Sequence, residues 1–519
     1  MKRPLILGIS ASLRAARWKD EGMLLAEELR QITDREGLDV FISDQAKIHL
    51  DQFLEAGRKD GKPFDELYRK LRHNGGLRGL SNSEVCLAAA LWGAIQNGAD
   101  VEHIALSKYF LADGSERDID ELRSKLLAVD GILLATPVYF GDRSSLSQKL
   151  IELLRRDNEL RIAMESKVYG GLAVGAKRNG GQETTLIYQM LDMINIGMIG
   201  VGNDSETTSQ YGGTAHAGDV GTIPNDSYGI NTSIGTGRRI ARVTMLKILA
   251  ENSDLSNPLK IGIWILQDRN GELNKILGKF VYALEPLTNN ITINLVNHRI
   301  RPCIACDICP THVGPDDEYR CIIKTKDDGL KTVHNELLDC DIIMPALYSP
   351  EDRDDLFSVY QQFMERTRYL RRGDYVFTDQ LIVPFIISDI NSHENLHIRV
   401  MTSFIRHHTV MFSPIIGWLH ENKKILNAEN ITERLQHACR IGRELTIGRL
   451  SAANTEIKAT QYQPVGYVLS QAKDKEAATI SAREQATEKR NYLLRREAKQ
   501  RLKAKRRSMP YKKYAETPF

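Results

Sequence analysis

The chain has 519 residues, of which 42% are hydrophobic and 26% are charged, and its formal net charge is +3. This length is too great for one ordinary core, so we expect two domains plus additional segments, and the composition is typical of a soluble globular protein. No run of eighteen apolar residues is present, and the N-terminus enters a strand too early for a signal peptide. We therefore predict a cytoplasmic protein without a membrane span.

The first predicted strand ends in a loop that carries hydroxyl side chains. Leu5-Ile6-Leu7 is typical of a short buried strand, and Ser10, Ser12 and Arg14 follow it closely. Backbone N–H groups, hydroxyls and a guanidinium can converge on one anion, which is how a phosphate loop is built. We interpret residues 8–14 as a candidate phosphate loop; the alternative is a serine-rich turn.

A polar, charge-rich segment, residues 15–80, separates this loop from the next strong helix. We predict helical stretches in the segment near Gly22–Arg35 and Pro63–Arg72. The segment is interpreted as an insertion that splits the phosphate loop from the helix that such a loop normally opens.

The helix after the insertion is predicted over Val85 to Asn97. Ser81 and Glu84 precede it in the spacing of a capping box, in which the two residues satisfy each other's backbone N–H groups. Residues 81–83, Asn82 among them, are expected to complete the anion site.

The stretch Val129–Leu150 predicts a buried strand, a ligand-binding loop and an amphipathic helix in succession. Asp130 opens the apolar run, and Thr136 to Gly141 interrupt it. A similar pattern returns 209 residues later, where Asp339 would correspond to Asp130 and Tyr348 to Tyr139. We therefore predict that the chain contains the same fold twice.

The remaining elements of the first unit alternate between strands and helices. This alternation predicts a doubly wound parallel sheet, whose ligand loops lie at the carboxyl ends of the strands. The predicted strands are 101–106, 167–174 and 198–201, the helices are 118–128, 184–195 and 237–250, and the polar or glycine-rich loops are 175–185 and 211–221.

Four motifs stand in order along this unit: GISASLR, ATPVYFGDRSS, VGAKRNGGQETT, and YGGTAHAGDVG with DSYGINTSIGTGRRIA. Together they resemble the NADPH-dependent FMN reductase family of the flavodoxin fold, especially its NAD(P)H:quinone oxidoreductase and iron-sulfur flavoprotein branches. The resemblance covers residues 1–14 and 80–250. The departures from the family pattern are the split phosphate loop and Lys177-Arg178, which could favour a nicotinamide phosphate or an acidic substrate.

This resemblance implies FMN as cofactor, NAD(P)H as co-substrate and a small electron acceptor such as a quinone or a flavin. It also implies three groups of contacts with FMN. The phosphate would lie near Ser10, Ser12, Arg14 and Asn82; the isoalloxazine near Pro137, Val138, Tyr139, Phe140 and Gly141; and its pyrimidine side near Gly175, Asn179, Gly180, Gly181 and Gln182. The cofactor performs the chemistry, so no catalytic acid or base is demanded.

The second unit resembles the same family over about residues 260–425, with a linker at 251–258. Its counterpart of the phosphate loop carries Asp268 and Glu272, whose carboxylates would repel a phosphate. We therefore predict two flavodoxin-like doubly wound parallel-sheet domains in tandem, 1–252 and 258–450, with the flavin lost from the second. The second domain is expected to pack on the first as in a dimer and to cover the flavin edge; a homo-oligomer is the other arrangement considered.

Four of the seven cysteines, Cys303, Cys306, Cys309 and Cys321, fall in one loop of the second unit. In a reducing compartment this favours metal binding or packing over disulfides. The spacing resembles that of iron-sulfur flavoproteins, although the last gap is longer. An iron-sulfur cluster, a structural zinc site and a metal-free loop are left open.

The C-terminal segment, residues 451–519, is predicted to be a basic helical tail. Residues 483–519 contain 13 Lys and Arg against 4 Asp and Glu, a net +9, which leaves the rest of the chain at 57 − 63 = −6. Such a tail could bind nucleic acid or an acidic protein, or it could fold back on the acidic body near Glu351–Asp355.

Three functions are compatible with these features. The first is an FMN-dependent NAD(P)H oxidoreductase that reduces a small acceptor. The second is a flavin and iron-sulfur electron-transfer protein that serves a partner enzyme. The third is a non-catalytic binding protein that retains the flavodoxin fold and uses its tail on nucleic acid.

Overall fold

The computed structural model describes residues 2–14, 22–58, 79–454, 488–489 and 491–504, except 112, 205–210, 254, 256–257, 283, 285–287, 307–308, 310–318, 320, 352–357 and 421–423. Within these residues, one sheet of thirteen strands runs through the molecule, with helices on both faces. The predicted α/β class with a mainly parallel sheet is therefore confirmed. The helix predicted at Pro63–Arg72 lies outside the described residues.

The first half of the sheet is parallel throughout. Its central strands are buried along nearly their whole length, which explains their continuous apolar sequences. The order is β2-β1-β3-β4, and the start of β4 then pairs with β5 while its end pairs with β6. The strands are β1 (Leu5–Ser10), β2 (Asp100–Ala105), β3 (Gly131–Pro137), β4 (Val168–Gly175), β5 (Ile199–Val201) and β6 (Gly213–His216).

Eight helices of the described residues flank this half of the sheet. One face is covered by α3 and α8, which pack on each other, and the insertion helices α1 and α2 pack outside them; α4 to α7 cover the other face. The helices are α1 (Gly22–Gln31), α2 (Arg35–Arg58), α3 (Asn82–Gln96), α4 (Ile119–Ala128), α5 (Ser145–Arg156), α6 (Asn158–Met164), α7 (Gln182–Ile196) and α8 (Ser227–Glu251).

The second half repeats this strand order. It runs β8-β7-β9, and the start of β9 pairs with β10 and its end with β11, which are followed by β12 and β13. The strands are β7 (Leu259–Gln267), β8 (Thr288–Asn294), β9 (Ile342–Ser349), β10 (Leu381–Ile382), β11 (Phe385–Asp389), β12 (Val410–Met411) and β13 (Ile415–Leu419). The helices are α9 (Glu272–Tyr282), α10 (Gly329–Thr332), α11 (His334–Leu338), α12 (Ser358–Arg366), α13 (Arg368–Asp374), α14 (Leu396–Phe404) and α15 (Ala428–Asn454).

The internal repeat has a different register from the one predicted. The backbone N–H of Leu5 donates to Asp130 at 2.9 Å, and the N–H of Lys260 donates to Asp341 at 3.0 Å. Asp341, not Asp339, is thus the counterpart of Asp130, and the offset is 341 − 130 = 211 residues. Tyr348 consequently lies inside β9 and is buried, so its correspondence to Tyr139 was wrong.

The two halves join through a narrow antiparallel contact. Met411 of β12 pairs with Gly200 of β5, and α8 packs against α15, where a side chain at Gly448 would clash with the carbonyl oxygen of Leu246. Arg239 of α8 is buried beside this contact and forms an ion pair with Asp379.

This joint does not place the second half over the candidate flavin edge. Because β5 and β12 run antiparallel, the carboxyl ends of the strands in the two halves point in opposite directions. The side chain of Phe140, at the first of these edges, is fully exposed among the described residues. The expected cover of the flavin edge by the second half is therefore not the observed packing.

Part of the basic tail folds back onto the body. Residues 491–504 are helical, and Ala498 packs against Leu255 and Leu450. Arg501 donates to Asp341 at 3.2 Å, so the contact lies at the start of β9 rather than near Glu351. Residues 352–355 of the acidic run that was expected to hold the tail lie outside the described residues, and polyanion binding remains a prediction. None of the described helices is long and apolar enough to cross a membrane.

Candidate functional site

The end of β1 and the start of α3 form the polar corner of the sheet edge. Ser10 is fully buried and its Oγ has no hydrogen-bond partner among the described residues, while the Oγ of Ser12 accepts a bond from the N–H of Arg14 at 3.2 Å. The N–H of Ser81 donates to Glu84 at 2.9 Å, which confirms the predicted capping box at the start of α3. The predicted phosphate-loop residues thus meet a helix N-terminus.

Asn82 has a different position from the one expected for a phosphate ligand. Its side-chain amide donates to the carbonyl oxygen of Asp219 at 3.1 Å and accepts from the N–H of Gly221 at 3.1 Å. The side chain therefore fastens the glycine-rich loop after β6 to the N-terminus of α3. It shapes the polar corner through this loop.

The loop after β3 makes a tight turn at the same edge. Tyr139 and Asp142 exchange two backbone hydrogen bonds of 2.8 and 3.0 Å around Phe140 and Gly141, whose φ angles are 53° and 79°. Two successive positive φ angles define a type I′ turn, in which glycine is unstrained but a bulky residue costs about 1–2 kcal/mol. The turn therefore holds the exposed ring of Phe140 at its tip at an energetic cost, which is typical of functional sites.

The loop after β4 is closed by Gln182. Its amide donates to the carbonyl oxygens of Lys177 at 2.6 Å and Ala215 at 3.1 Å, and accepts from the N–H of Gly180 at 2.9 Å. Gln182 is buried, so its amide is used within the protein and positions the loop. Gly175 leaves room for the side chain of Gln182, because a Cβ on residue 175 would lie 2.7 Å from the amide nitrogen of Gln182.

The two loops touch at their glycines. A Cβ on Gly181 would lie 2.6 Å from the Cα of Gly141, and Gly181 has a φ of 98°. The structure thus brings Pro137 to Gly141 together with Gly175 to Gln182, with Tyr139, Asn179 and Gly180 exposed toward solvent.

Arg178 is not a free cation at this edge. It pairs with Asp226, stacks on the ring of Tyr228 at 4.5 Å, and lies 2.8 Å from the Nδ1 of His216. Lys177, by contrast, is exposed. Of the two cations that could favour a nicotinamide phosphate, Lys177 is therefore the one that remains exposed to solvent.

The corresponding edge of the second half is filled by its own side chains. Asp268 accepts a bond from the N–H of Leu273 at 2.9 Å and so occupies the start of α9. Gln267 donates to the carbonyl oxygen of Tyr348 at 2.7 Å, and the Tyr348 hydroxyl donates to Asp389 at 2.7 Å. The backbone N–H, amide and hydroxyl groups that would be needed to bind a phosphate and a flavin ring are therefore already hydrogen-bonded within the protein.

The four cysteines line one small pocket, together with Ile304, Ile322, Ile323, Arg366, Arg368 and Tyr369. No disulfide joins the described cysteines, and all four of these side chains are partly exposed. As the loop lies here, however, no three His, Cys, Asp or Glu side chains of the described residues are close enough to share a metal ion. The predicted residues are gathered, but they do not form a ligand set.

A buried ion pair anchors this loop. Arg366 donates to both carboxylate oxygens of Asp328 at 3.0 and 2.8 Å, to the carbonyl oxygen of Arg301 at 2.9 Å, and to the hydroxyl of Tyr319. Because these partners lie on both sides of the cysteines, the two ends of the loop are held firmly.

A parallel sheet with hydroxyl, guanidinium and glycine loops at one edge is typical of α/β proteins of the flavodoxin type. The family model described as NADPH-dependent FMN reductase matches residues 73–205. An iron-sulfur flavoprotein of Methanosarcina thermophila is 32% identical over 200 residues, which are 35% of this chain and 96% of that protein. The chain therefore belongs to the NADPH-dependent FMN reductase family, with iron-sulfur flavoproteins among its relatives.

Other similar proteins are matched over different shares of their own length. The chain is 41% identical to an iron-sulfur flavoprotein of Methanocaldococcus jannaschii over 131 residues, 25% of this chain and 66% of that one. Among solved structures, a WrbA-like flavodoxin from Agrobacterium tumefaciens has a TM-score of 0.23 and 23% identity over 31% of this chain and 87% of its own. The azoreductase AzrA has a TM-score of 0.25 and 13% identity, over 36% and 99%. At these scores the structural matches carry no argument about function.

One buried residue near the polar corner was missed from the sequence. His49 of α2 is buried, and its Nδ1 has no hydrogen-bond partner in the part of the chain that the structure describes. Burial together with the charge of Arg14 lowers its pKa to about 4. Its position continues the buried stripe of Leu38, Ile42 and Ala46 along α2, and that helical spacing was the signal that could have found it.

Proposed function

We propose that the protein is an FMN-dependent NAD(P)H oxidoreductase that passes electrons to a small acceptor such as a quinone or a flavin. The observation that carries this proposal is the convergence of three loops at one sheet edge: the polar corner at Ser10, the type I′ turn at Phe140 and the glycine loop at Gly181. Family membership supports the same cofactor.

The residues of this edge fit the three parts of FMN. Ser10, Ser12, Arg14 and the N-terminus of α3 offer donors for the phosphate, and the unpartnered Oγ of Ser10 is the kind of buried donor that a ligand would satisfy. Tyr139 and Phe140 offer apolar surface for the ring, and the loop closed by Gln182 offers backbone groups for its polar edge. Bound FMN supplies the two-electron chemistry, and these residues orient it and limit access to it.

We further propose that residues 1–252 and 258–450 are two tandem flavodoxin-like domains and that only the first binds flavin. The repeated strand order supports the tandem arrangement. The internal bonds of Asp268 and Tyr348 support a second site without flavin, because those groups are already used.

The test is a visible spectrum of the full chain reconstituted with FMN, together with the rate of NADPH and NADH oxidation. We expect one flavin per chain, and no flavin absorbance in the double variant Ser12→Ala, Arg14→Glu. Arg3→Glu, an exposed charge reversal away from the site, should bind normally. Two flavins per chain, or a normal spectrum in the double variant, would contradict the proposal.

A second candidate, a flavin and iron-sulfur electron-transfer protein, is favoured by the gathering of four thiols in one pocket. Iron, zinc and acid-labile sulfide should be measured after purification without oxygen. Stoichiometric iron and sulfide would support this candidate, and zinc alone would indicate a structural site. The absence of all three would favour the oxidoreductase without a metal centre.

A further inference from the structure

We propose that the inserted helix α2 is part of the flavin-phosphate subsite and that His49 on this helix binds the phosphate. The inference rests on the proposed function, since it assigns a further binding residue to the same site. The phosphate-loop motif does not include this helix, because α2 ends more than twenty residues before α3 begins.

The helix is fastened to the polar corner along one side. The N–H of Leu80 donates to the carbonyl oxygen of Gln45 at 3.1 Å, two residues before α3 begins. A Cβ on Gly79 would lie 2.6 Å from the backbone nitrogen of His49, and one on Gly221 would lie 2.9 Å from the Cβ of Leu50. Thus α2 is packed against both segments that Asn82 connects, and the backbone of His49 borders this contact.

Two further observations place His49 beside the phosphate loop. The guanidinium of Arg14 lies 5.1 Å from the centre of the Phe53 ring, one helical turn after His49. The charge of Arg14 also reaches His49, because it contributes to the lowering of that residue's pKa. Arg14 therefore contacts α2 one turn from His49, on the same face of the helix.

The environment of His49 is unfavourable in the absence of an anion. Its side chain is 1% exposed, and its Nδ1 has no partner among the described residues. A buried nitrogen without a partner is costly, and so is an arginine beside it. A phosphate dianion would relieve both costs, because it accepts hydrogen bonds and carries the opposite charge. The buried Oγ of Ser10, at the end of β1, likewise has no hydrogen-bond partner among the described residues.

The test compares the affinities of FMN and riboflavin, which differ only in the phosphate. Dissociation constants would be measured by flavin fluorescence for the full-length chain, for His49→Ala and for His49→Phe, which keeps a ring but removes the donor. We expect FMN to bind about 10-fold to 100-fold more weakly to both variants, with riboflavin changed less than twofold. The control is Lys47→Ala, which removes an exposed cation from the same helix and should leave both affinities unchanged.

Equal losses for both flavins would overturn the inference, because His49 would then support only the fold. Unchanged FMN affinity in either folded variant would overturn it as well, and melting temperatures establish which variants fold. If the unaltered protein bound neither flavin, the proposed function itself would fail. The two failures are therefore distinguishable.

Discussion

Buried charges at the joint between the halves show how single residues hold this molecule together. Arg239 is 1% exposed, and it pairs with Asp379 and donates to the carbonyl oxygen of His408 at 2.6 Å. The pKa of Asp379 is lowered despite its burial, because Arg239 and Arg242 lie beside it. Removal of one partner from such a pair leaves a buried charge unpaired.

We expect Arg239→Met to lower the free energy of unfolding by about 3–5 kcal/mol, measured by urea denaturation. Arg242→Met is the matched control: Arg242 lies 3.4 Å from the same carboxylate but is more exposed, so its loss should cost clearly less. Equal effects of the two substitutions would show that Arg239 has no special role at the joint.

Candidate site residues were readable from the sequence where the pattern is local, and their contacts with a ligand stay predictions. Ser10, Ser12 and Arg14 follow directly from a strand that ends in hydroxyls, and the structure places them beside α3. The positions of Asn82 and Gln182 depend instead on loops about 137 and 33 residues away along the chain, at Asp219 and Ala215. No local pattern carries that information, so both were assigned to the ligand, whereas their amides are bonded within the protein.

At the scale of elements, the contact between the two glycine turns sets the shape of the site. The Cα of Gly141 would lie only 2.6 Å from a side chain at Gly181. The loops after β3 and β4 can therefore approach each other only while position 181 lacks a Cβ.

We expect Gly181→Ala to weaken FMN binding at least about tenfold, because it strains a residue with positive φ and separates the two loops, and one such strain is of order 1–3 kcal/mol. The control is Gly218→Ala on the neighbouring loop, where a Cβ would meet no atom within 4 Å. Titration with FMN measures both variants, and equal affinities would refute the predicted contact.

Element boundaries were predicted well where the sequence contains a cap. The capping box at Ser81 and Glu84 marked the N-terminus of α3, although the helix was predicted from Val85 and the structure begins it at Asn82. The repeat was harder to align, because Asp339 and Asp341 both precede the apolar run of β9. The backbone hydrogen bond from Lys260 to Asp341 distinguishes them, and it joins residues 81 positions apart.

At the scale of the whole molecule, the folded-back tail packs against the start of β9. Arg501 is 8% exposed and donates to both oxygens of Asp341, which also accepts the N–H of Lys260. The net charge of the tail was readable from the sequence. The contact of the tail with Asp341 was not readable, because the net charge of the tail is equally compatible with any other acidic surface.

We expect Arg501→Ala to destabilise the protein by about 1–3 kcal/mol in urea denaturation, because Asp341 would lose a buried charged partner. Arg496→Ala removes an exposed arginine from the same helix and should have little effect. An effect of Arg496→Ala as large as that of Arg501→Ala would mean that the tail acts through its net charge.

The narrow joint between β5 and β12 has a consequence for how the chain folds. Gly200 and Met411 are 211 positions apart, whereas the strand pairs within each half are joined by shorter connections. Loop closure over such a distance is slow compared with local pairing, so we expect each half to form first and the two to dock last. At high protein concentration the exposed β5 edge of one chain would then meet the β12 edge of another, and refolding would yield dimers in which two chains have exchanged their second halves.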